Sequence, residues 1–159
     1  MNERPKEPKR IQANNLCPNL FYEEDDIEQL ILTLDKAGAF DAPAGELSLA
    51  FVDKEEIARL HDEFMSDPTP TDVITFPGDP DFDLAGEICV CPQVAQEYAD
   101  KEGLEFSDEL ALYVIHGYLH LCGFDDIQDD DRAQMRTAEQ QALEIARNAK
   151  VLPTFELKR

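Results

Sequence analysis

The sequence predicts an α+β fold: a single domain in which a small mixed β-sheet packs with about five helices. Three observations predict it. Apolar positions recur at helical spacing in some segments and alternate in others, and the two kinds of segment are intermixed along the chain. The two central strand candidates are joined by a loop too short for a helical crossover, so that pair is antiparallel and the sheet is mixed. The length of 159 residues suits one domain with one substantial core and leaves little for a second.

Residues 1–10 are charged and proline-containing and are expected to form a flexible tail. The folded domain is expected over 11–150, beginning with a short extended segment from Ile11 to Asn15. From Glu24 the spacing of Ile27, Leu30, Ile31 and Leu34 predicts a helix that stops at Gly38. Glu46 to Val52 reads as a partly buried strand. Asp53 then opens a second helix, paired with Glu56 in a capping-box-like arrangement, with Ile57, Leu60 and Phe64 as its buried stripe. Pro68 and Pro70 exclude regular helix from the segment 66–71. Asp72 to Phe76 is a short strand, 78–85 a loop rich in Asp, Pro and Gly, and Glu87 to Cys91 another strand. Pro92 suits the first turn of a third helix, which runs to about Lys101. Ser107 is the expected cap of a fourth helix whose body, Leu110 to Ile115, is apolar nearly all round and therefore central. Gly123 ends that helix by accepting a positive φ. A fifth, amphipathic helix runs from Asp129 to Ala149 with Met135, Ala138, Leu143 and Ile145 on its apolar side, and 151–159 is expected as a second tail.

Composition narrows the function. Fourteen Lys and Arg against thirty-five Asp and Glu give a net charge of −21, which repels polyanions at long range and counts against simple electrostatic binding of nucleic acid. A nuclease of this charge needs a local basic patch, a metal ion to receive phosphate, or a partner that delivers the RNA. Runs such as Glu23 to Asp26 and Asp129 to Asp131 read as solvated helix faces. No apolar run is long enough to span a bilayer, and no signal peptide is visible, so a cytoplasmic location without membrane association is expected. Cys17, Cys89, Cys91 and Cys122 contain no C-x-x-C pair and are expected as free thiols.

Two of the three histidines, His116 and His120, lie four residues apart on the fourth helix. That spacing projects both imidazoles from one face, where they can share a metal. A catalytic zinc usually takes three protein ligands and keeps one position open. After the reversal at Gly123, the carboxylate of either Asp125 or Asp126 can supply the third donor. Gly117, poorly suited to a helix interior, permits close approach beside the histidines. His61, among charged neighbours, reads as a surface residue, and Thr71 and Asp72 as local capping or strand-entry residues rather than chemical ones.

The segment from His116 to Asp126 resembles the YbeY family of endoribonucleases, whose pattern runs H-G-x-L-H-L-x-G-Y-D-H; His116, Gly117, Leu119, His120, Leu121, Gly123 and Asp125 fall in register. Pro70 to Pro77 resembles the family's P-T-D-V-L-S-F-P, and Gly86 to Pro92 its G-D-I-x-I-C-P, so the likeness runs from about residue 46 to 145. The resemblance implies an α+β metalloprotein with its metal site on a central helix and the following turn. Its implied ligands are His116, His120 and Asp126, and its implied cofactor is one divalent ion, zinc. It further implies a single-strand-specific endoribonuclease that matures ribosomal RNA at the 3′ end of the small-subunit species and acts in ribosome quality control. The implied partners are ribosomal RNA and small-subunit proteins, with no nucleotide cofactor. Two positions depart from the family. Its third histidine is Asp126 here, giving two imidazoles and a carboxylate, a donor set zinc accepts elsewhere. The arginine that many members carry before the P-T-D-V segment is Met65, with Arg59 nearby on the same helix.

No side chain is assigned a catalytic role beyond activation of water by the metal, and the RNA 2′-hydroxyl stays open as the nucleophile. Two other readings compete. Metalloproteases also pair helical histidines, but they place a glutamate general base after the first, where this chain has Gly117. A ribosome-associated factor, with the metal only stapling the last helices, is consistent with the charge and with Met65.

Overall fold

The computed structural model describes residues 9–159; the N-terminal tail expected over 1–10 lies outside the described residues as far as residue 8. The chain runs β1 (Ile11–Asn15), β2 (Leu20–Phe21), α1 (Asp26–Ala37), β3 (Glu46–Phe51), α2 (Lys54–Met65), β4 (Val73–Pro77), a 3-10 turn (Pro80–Phe82), β5 (Leu84–Val90), α3 (Pro92–Glu102), α4 (Phe106–Leu121), α5 (Asp129–Asn148) and β6 (Glu156–Leu157). Four strands form a sheet in the order β1-β3-β5-β4, with β1, β3 and β5 parallel and β4 antiparallel to β5. This is the mixed sheet that the short connection between β4 and β5 requires, since parallel neighbours need a crossover and these two do not have one.

Helix α4 passes through the middle of the molecule. Leu110, Ala111, Val114, Ile115, Tyr118 and Leu119 are fully buried, and the helix packs against β4, β5, α3 and α5. Gly117 sets how closely it lies on the sheet. A Cβ built there would stand 2.6 Å from Ile88 Cγ2 and 3.1 Å from Val73 Cγ1, so the absent side chain is the space that β4 and β5 occupy. One stripe of α4 is held on the sheet, and the histidine stripe is left facing outward.

Several expectations need correction. The residue read as a helix cap, Ser107, lies inside α4, while Glu105 takes the cap position without a side-chain bond. The Ser107 hydroxyl instead accepts the backbone N–H of Phe155 at 2.9 Å. The segment expected as a tail from residue 151 is packed: Phe155 is buried and meets Tyr22 and Phe51 edge-on at 5.5 and 5.6 Å, and β6 pairs antiparallel with β2. At the other end Lys9 is paired with Asp35 at 3.2 Å, and Asp35 also accepts the phenol of buried Tyr118 at 2.7 Å. On α2 only Ile57 of the expected stripe is fully buried, and Phe64 is 57% exposed, its ring set against Phe76 at 4.8 Å. Asp53 accepts the Glu56 N–H at 2.8 Å, but the Glu56 carboxylate turns to Arg59, so the capping box is made on one side only. Among the described residues the four cysteines are free; burial pushes the thiols of Cys89, Cys91 and Cys122 up to about 11, which leaves them protonated and inert at neutral pH. No helix among the described residues is long and apolar enough to cross a membrane.

A candidate metal centre on the central helix

His116 and His120 stand one turn apart on α4, with their rings edge to face at 4.5 Å. The helix ends at Leu121, the chain reverses through Gly123 at φ +102°, and the turn returns Asp126 to the histidine stripe. His116 Nε2 lies 3.0 Å from His120 Nε2, and Asp126 Oδ2 lies 3.2 Å from the first and 3.4 Å from the second. Asp125 is exposed, and its carboxylate accepts the backbone N–H of Asp126 at 2.8 Å. One acidic residue of the pair thus shapes the turn, and the other reaches the imidazoles.

The outer nitrogens of both rings have partners that decide the tautomers. His120 Nδ1 is 3.0 Å from the Phe124 carbonyl oxygen, which can only accept, so Nδ1 carries the hydrogen. His116 Nδ1 faces Glu139 Oε2 at 3.5 Å, again an acceptor. In their neutral forms the rings therefore present Nε2 lone pairs to each other and to the Asp126 carboxylate. Three acceptors converge with no donor among them, and a cation at the centre relieves that arrangement. The spacing fits one: bonds of about 2.0 to 2.1 Å in a tetrahedral zinc site put donors about 3.3 to 3.4 Å apart, and these three are separated by 3.0 to 3.4 Å. His116, His120 and Asp126 can hold one metal ion. Burial works against a charged His116, yet the hydrogen bond and charge of Glu139, with Asp126 and Asp72, outweigh it and hold the imidazole above its ordinary range. The same carboxylates that favour a proton there favour a metal.

Two clefts flank the donors. One, of about 520 Å³, opens beside His116 and is lined by Thr71, Asp72, Glu109, Tyr113 and Glu139 among others. The second, of about 380 Å³, opens beside His120, between the 78–85 segment and Leu121. Asp72 accepts the Val73 N–H at 2.8 Å, the strand-entry role expected of it, while also forming part of the cleft wall. Glu109 and Glu139 were not expected at the site. Glu109 had a readable signal, because it lies seven residues before His116 on the same helical stripe; Glu139 had only its position beside the apolar face of α5. His61 is half-buried on α2, with Nδ1 2.8 Å from the Thr69 carbonyl, which holds the proline loop to that helix. Arg59 is engaged by Glu56 and Glu63 along its own helix, and Met65 is 59% exposed. Neither lines a cleft beside the donors.

The chain is similar to known proteins over most of its length. The family model described as Endoribonuclease YbeY matches residues 14–147. Proteins named Endoribonuclease YbeY include one from Protochlamydia amoebophila, 45% identical over 98 residues, which are 59% of this chain and 65% of that protein. Another, from Kineococcus radiotolerans, is 42% identical over 107 residues, 61% of this chain and 62% of that protein. The chain thus spans slightly less than two thirds of the length of these relatives. The solution structure of TM1509 from Thermotoga maritima superposes with a TM-score of 0.61 at 28% identity, covering 88% of this chain and 91% of that one. The likeness extends N-terminal to the motifs, through α1 and into β1, and with the family model matching most of its length the chain belongs to the YbeY family.

Proposed function

We propose that the protein is a metal-dependent endoribonuclease that cuts single-stranded RNA in the maturation of ribosomal RNA. The observation that carries this is the convergence of three metal donors between two open clefts, in a chain of the YbeY family. His116, His120 and Asp126 would hold one divalent ion, and two imidazoles with one carboxylate suit zinc. When bound, such an ion offers a Lewis acid to a phosphodiester and lowers the pKa of water. The protein residues do the positioning. Phe124 and Glu139 fix the rings by their outer nitrogens, and the Gly123 reversal holds Asp126 against them. The two clefts let an extended strand lie across the donors with nucleotides on either side, whereas a duplex offers no single strand to bend into them.

Maturation of the 3′ end of small-subunit ribosomal RNA, ribosome quality control, a cytoplasmic location and small-subunit proteins as partners complete the proposal. The net charge of −21 supports delivery of the RNA by such a partner over free association. A second reading has one specific observation behind it: with Met65 exposed and Arg59 tied to Glu56 and Glu63, the arginine expected to assist RNA has no evident substitute, as in an assembly factor whose metal is only structural. One experiment separates the two. Purified protein is incubated with structured ribosomal RNA, with and without chelator, beside His116→Ala. Cleavage that both chelation and the substitution abolish supports the nuclease; metal-loaded protein that binds ribosomal particles yet cuts nothing supports the factor.

A further inference from the structure

Glu109 is 9% exposed, lines the cleft beside His116, and makes no side-chain hydrogen bond or ion pair among the described residues. The residue is largely buried, yet its carboxylate oxygens are not sealed off; they open to the cleft with no protein donor to meet them, a need that a ligand can fill. Its neighbours across the cleft, Asp72 and Glu139, are also acidic, and no Lys or Arg lines the space. The three carboxylates that line the cleft are all acceptors, and no cation balances them. The cleft repels phosphate and suits a group that brings N–H donors. Its other surfaces include the rings of Tyr98 and Tyr113, which suit a flat aromatic face.

We infer that this cleft is a nucleobase pocket that takes guanine from the nucleotide beside the phosphodiester at the metal donors, with Glu109 accepting from the edge of the base and the two tyrosines as its walls. Guanine presents N1–H and N2–H side by side, which a carboxylate meets with its two oxygens, whereas uracil offers one donor between two carbonyls. The spacing agrees. Glu109, Tyr113, His116 and His120 form one stripe on α4, and the two turns from Glu109 to His116 advance about 10 Å, comparable to the reach from a nucleotide's phosphate to the far edge of its purine. A directly ligated second metal fits less well, because among the described residues only His116, His120 and Asp126 gather closely enough around one point. The placement of the phosphate rests on the endoribonuclease reading; the complementarity of the pocket does not.

The test uses zinc-loaded protein and two readouts. Binding of guanosine, adenosine, cytidine and uridine is followed by NMR saturation transfer, with nucleosides chosen so that no phosphate can reach the metal. Guanosine should bind at least about fivefold more tightly than uridine, the low end for a two-point base contact. Glu109→Gln, which keeps the shape but replaces one acceptor by an amide donor, should remove the difference, and Glu109→Asp should retain part of it. Cleavage of short RNAs differing at one base should be fastest beside guanine, and that preference should fall in Glu109→Gln. Guanosine preference without any cleavage supports the pocket and counts against the nuclease. Cleavage with no base preference, or with a preference unchanged in Glu109→Gln, overturns the pocket and leaves the nuclease standing. Two further outcomes overturn it: tighter binding of an acetylated lysine amide than of guanosine, or a second equivalent of magnesium lost in Glu109→Gln.

Discussion

Asp125 and Asp126 are adjacent and chemically identical, yet their surroundings give them different tasks. Asp126 points an oxygen at both imidazoles, and Asp125 bonds the backbone of the turn. Asp126→Ala should therefore reduce metal affinity by more than the tenfold to about 100-fold typical of supporting residues, while Asp125→Ala should stay within that range. A competition titration with a chromophoric chelator measures both, and the reverse order would reassign the ligand. Glu139 governs the pH at which metal is retained. Because His116 is held above its ordinary range by Glu139 and its acidic neighbours against the opposing effect of burial, the proton competes for Nε2 from a higher pH than in a free imidazole. Affinity is complete above that raised value and falls as the pH drops through it. Glu139→Gln removes the principal raising influence, so its affinity, taken relative to its own high-pH plateau, should begin to fall at a lower pH than in the wild type, even as that plateau drops about tenfold. Affinity measured at each pH from 5 to 8 by equilibrium dialysis and scaled to its high-pH plateau reads the shift, and an unchanged scaled profile would dissociate Glu139 from His116.

At the scale of the element, α4 works because one helix meets two demands at once, burying a wide apolar surface and presenting a polar stripe. Gly117 reconciles them. Alanine there gains about 1 kcal/mol of helix propensity, but its methyl would meet Ile88, a branched side chain with little freedom to withdraw. Overpacking of this kind costs about 1 to 3 kcal/mol. Gly117→Ala should thus be neutral to destabilising by about 2 kcal/mol in urea titration, and it should weaken metal binding as the histidines move with the helix. Clear stabilisation would mean that the contact is softer than its geometry implies. The legibility of the sequence followed the same division. Helices α1, α4 and α5 and strands β3 and β5 could be read because their periodic apolar positions face one core. The His116 and His120 pair could be read because helical spacing alone aligns it. The short pairing of β2 with β6 could not: two residues at each end of the chain carry no period, and their partners are more than 130 positions apart. Ser107 misled for a related reason, since a hydroxyl near a helix start serves equally as a cap or as the anchor for a distant backbone, and only tertiary contact chooses. Glu139 escaped notice because in so acidic a chain a functional carboxylate has no local mark, and the one mark that Glu109 carries, its place on the His116 stripe two turns back, was lost among the other carboxylates.

For the molecule as a whole, the charge of −21 must be reconciled with a polyanionic substrate. A conventional nucleic-acid binder gains affinity by releasing counterions from many phosphates and loses it steeply as salt rises. Few cations are placed to do so here. Arg59 is held by Glu56 and Glu63, and Arg132, near the start of α5, is bound to Asp129 and the Ile127 carbonyl. Arg136, one turn further along α5 on the side that presents Glu139, is exposed and makes no ion pair among the described residues. With so few phosphate contacts the logarithm of affinity for naked single-stranded RNA should fall with the logarithm of salt by a slope of only about one or two, against about ten for a strongly basic binder. Repulsion between the acidic surface and RNA acts at long range and is itself screened by salt, so it flattens the slope further and can reverse its sign below about 50 mM, where the screening length exceeds 10 Å. Arg136→Ala should reduce the slope by about one unit if that residue meets a phosphate. Fluorescence anisotropy of a labelled single-stranded RNA against metal-loaded protein, from 20 to 300 mM monovalent salt, measures slope and affinity together. Tight binding with a slope near ten would reveal a basic track that the described residues do not form and remove the need for a delivering partner, whereas weak and nearly salt-independent binding would locate the affinity for substrate in the ribosomal particle.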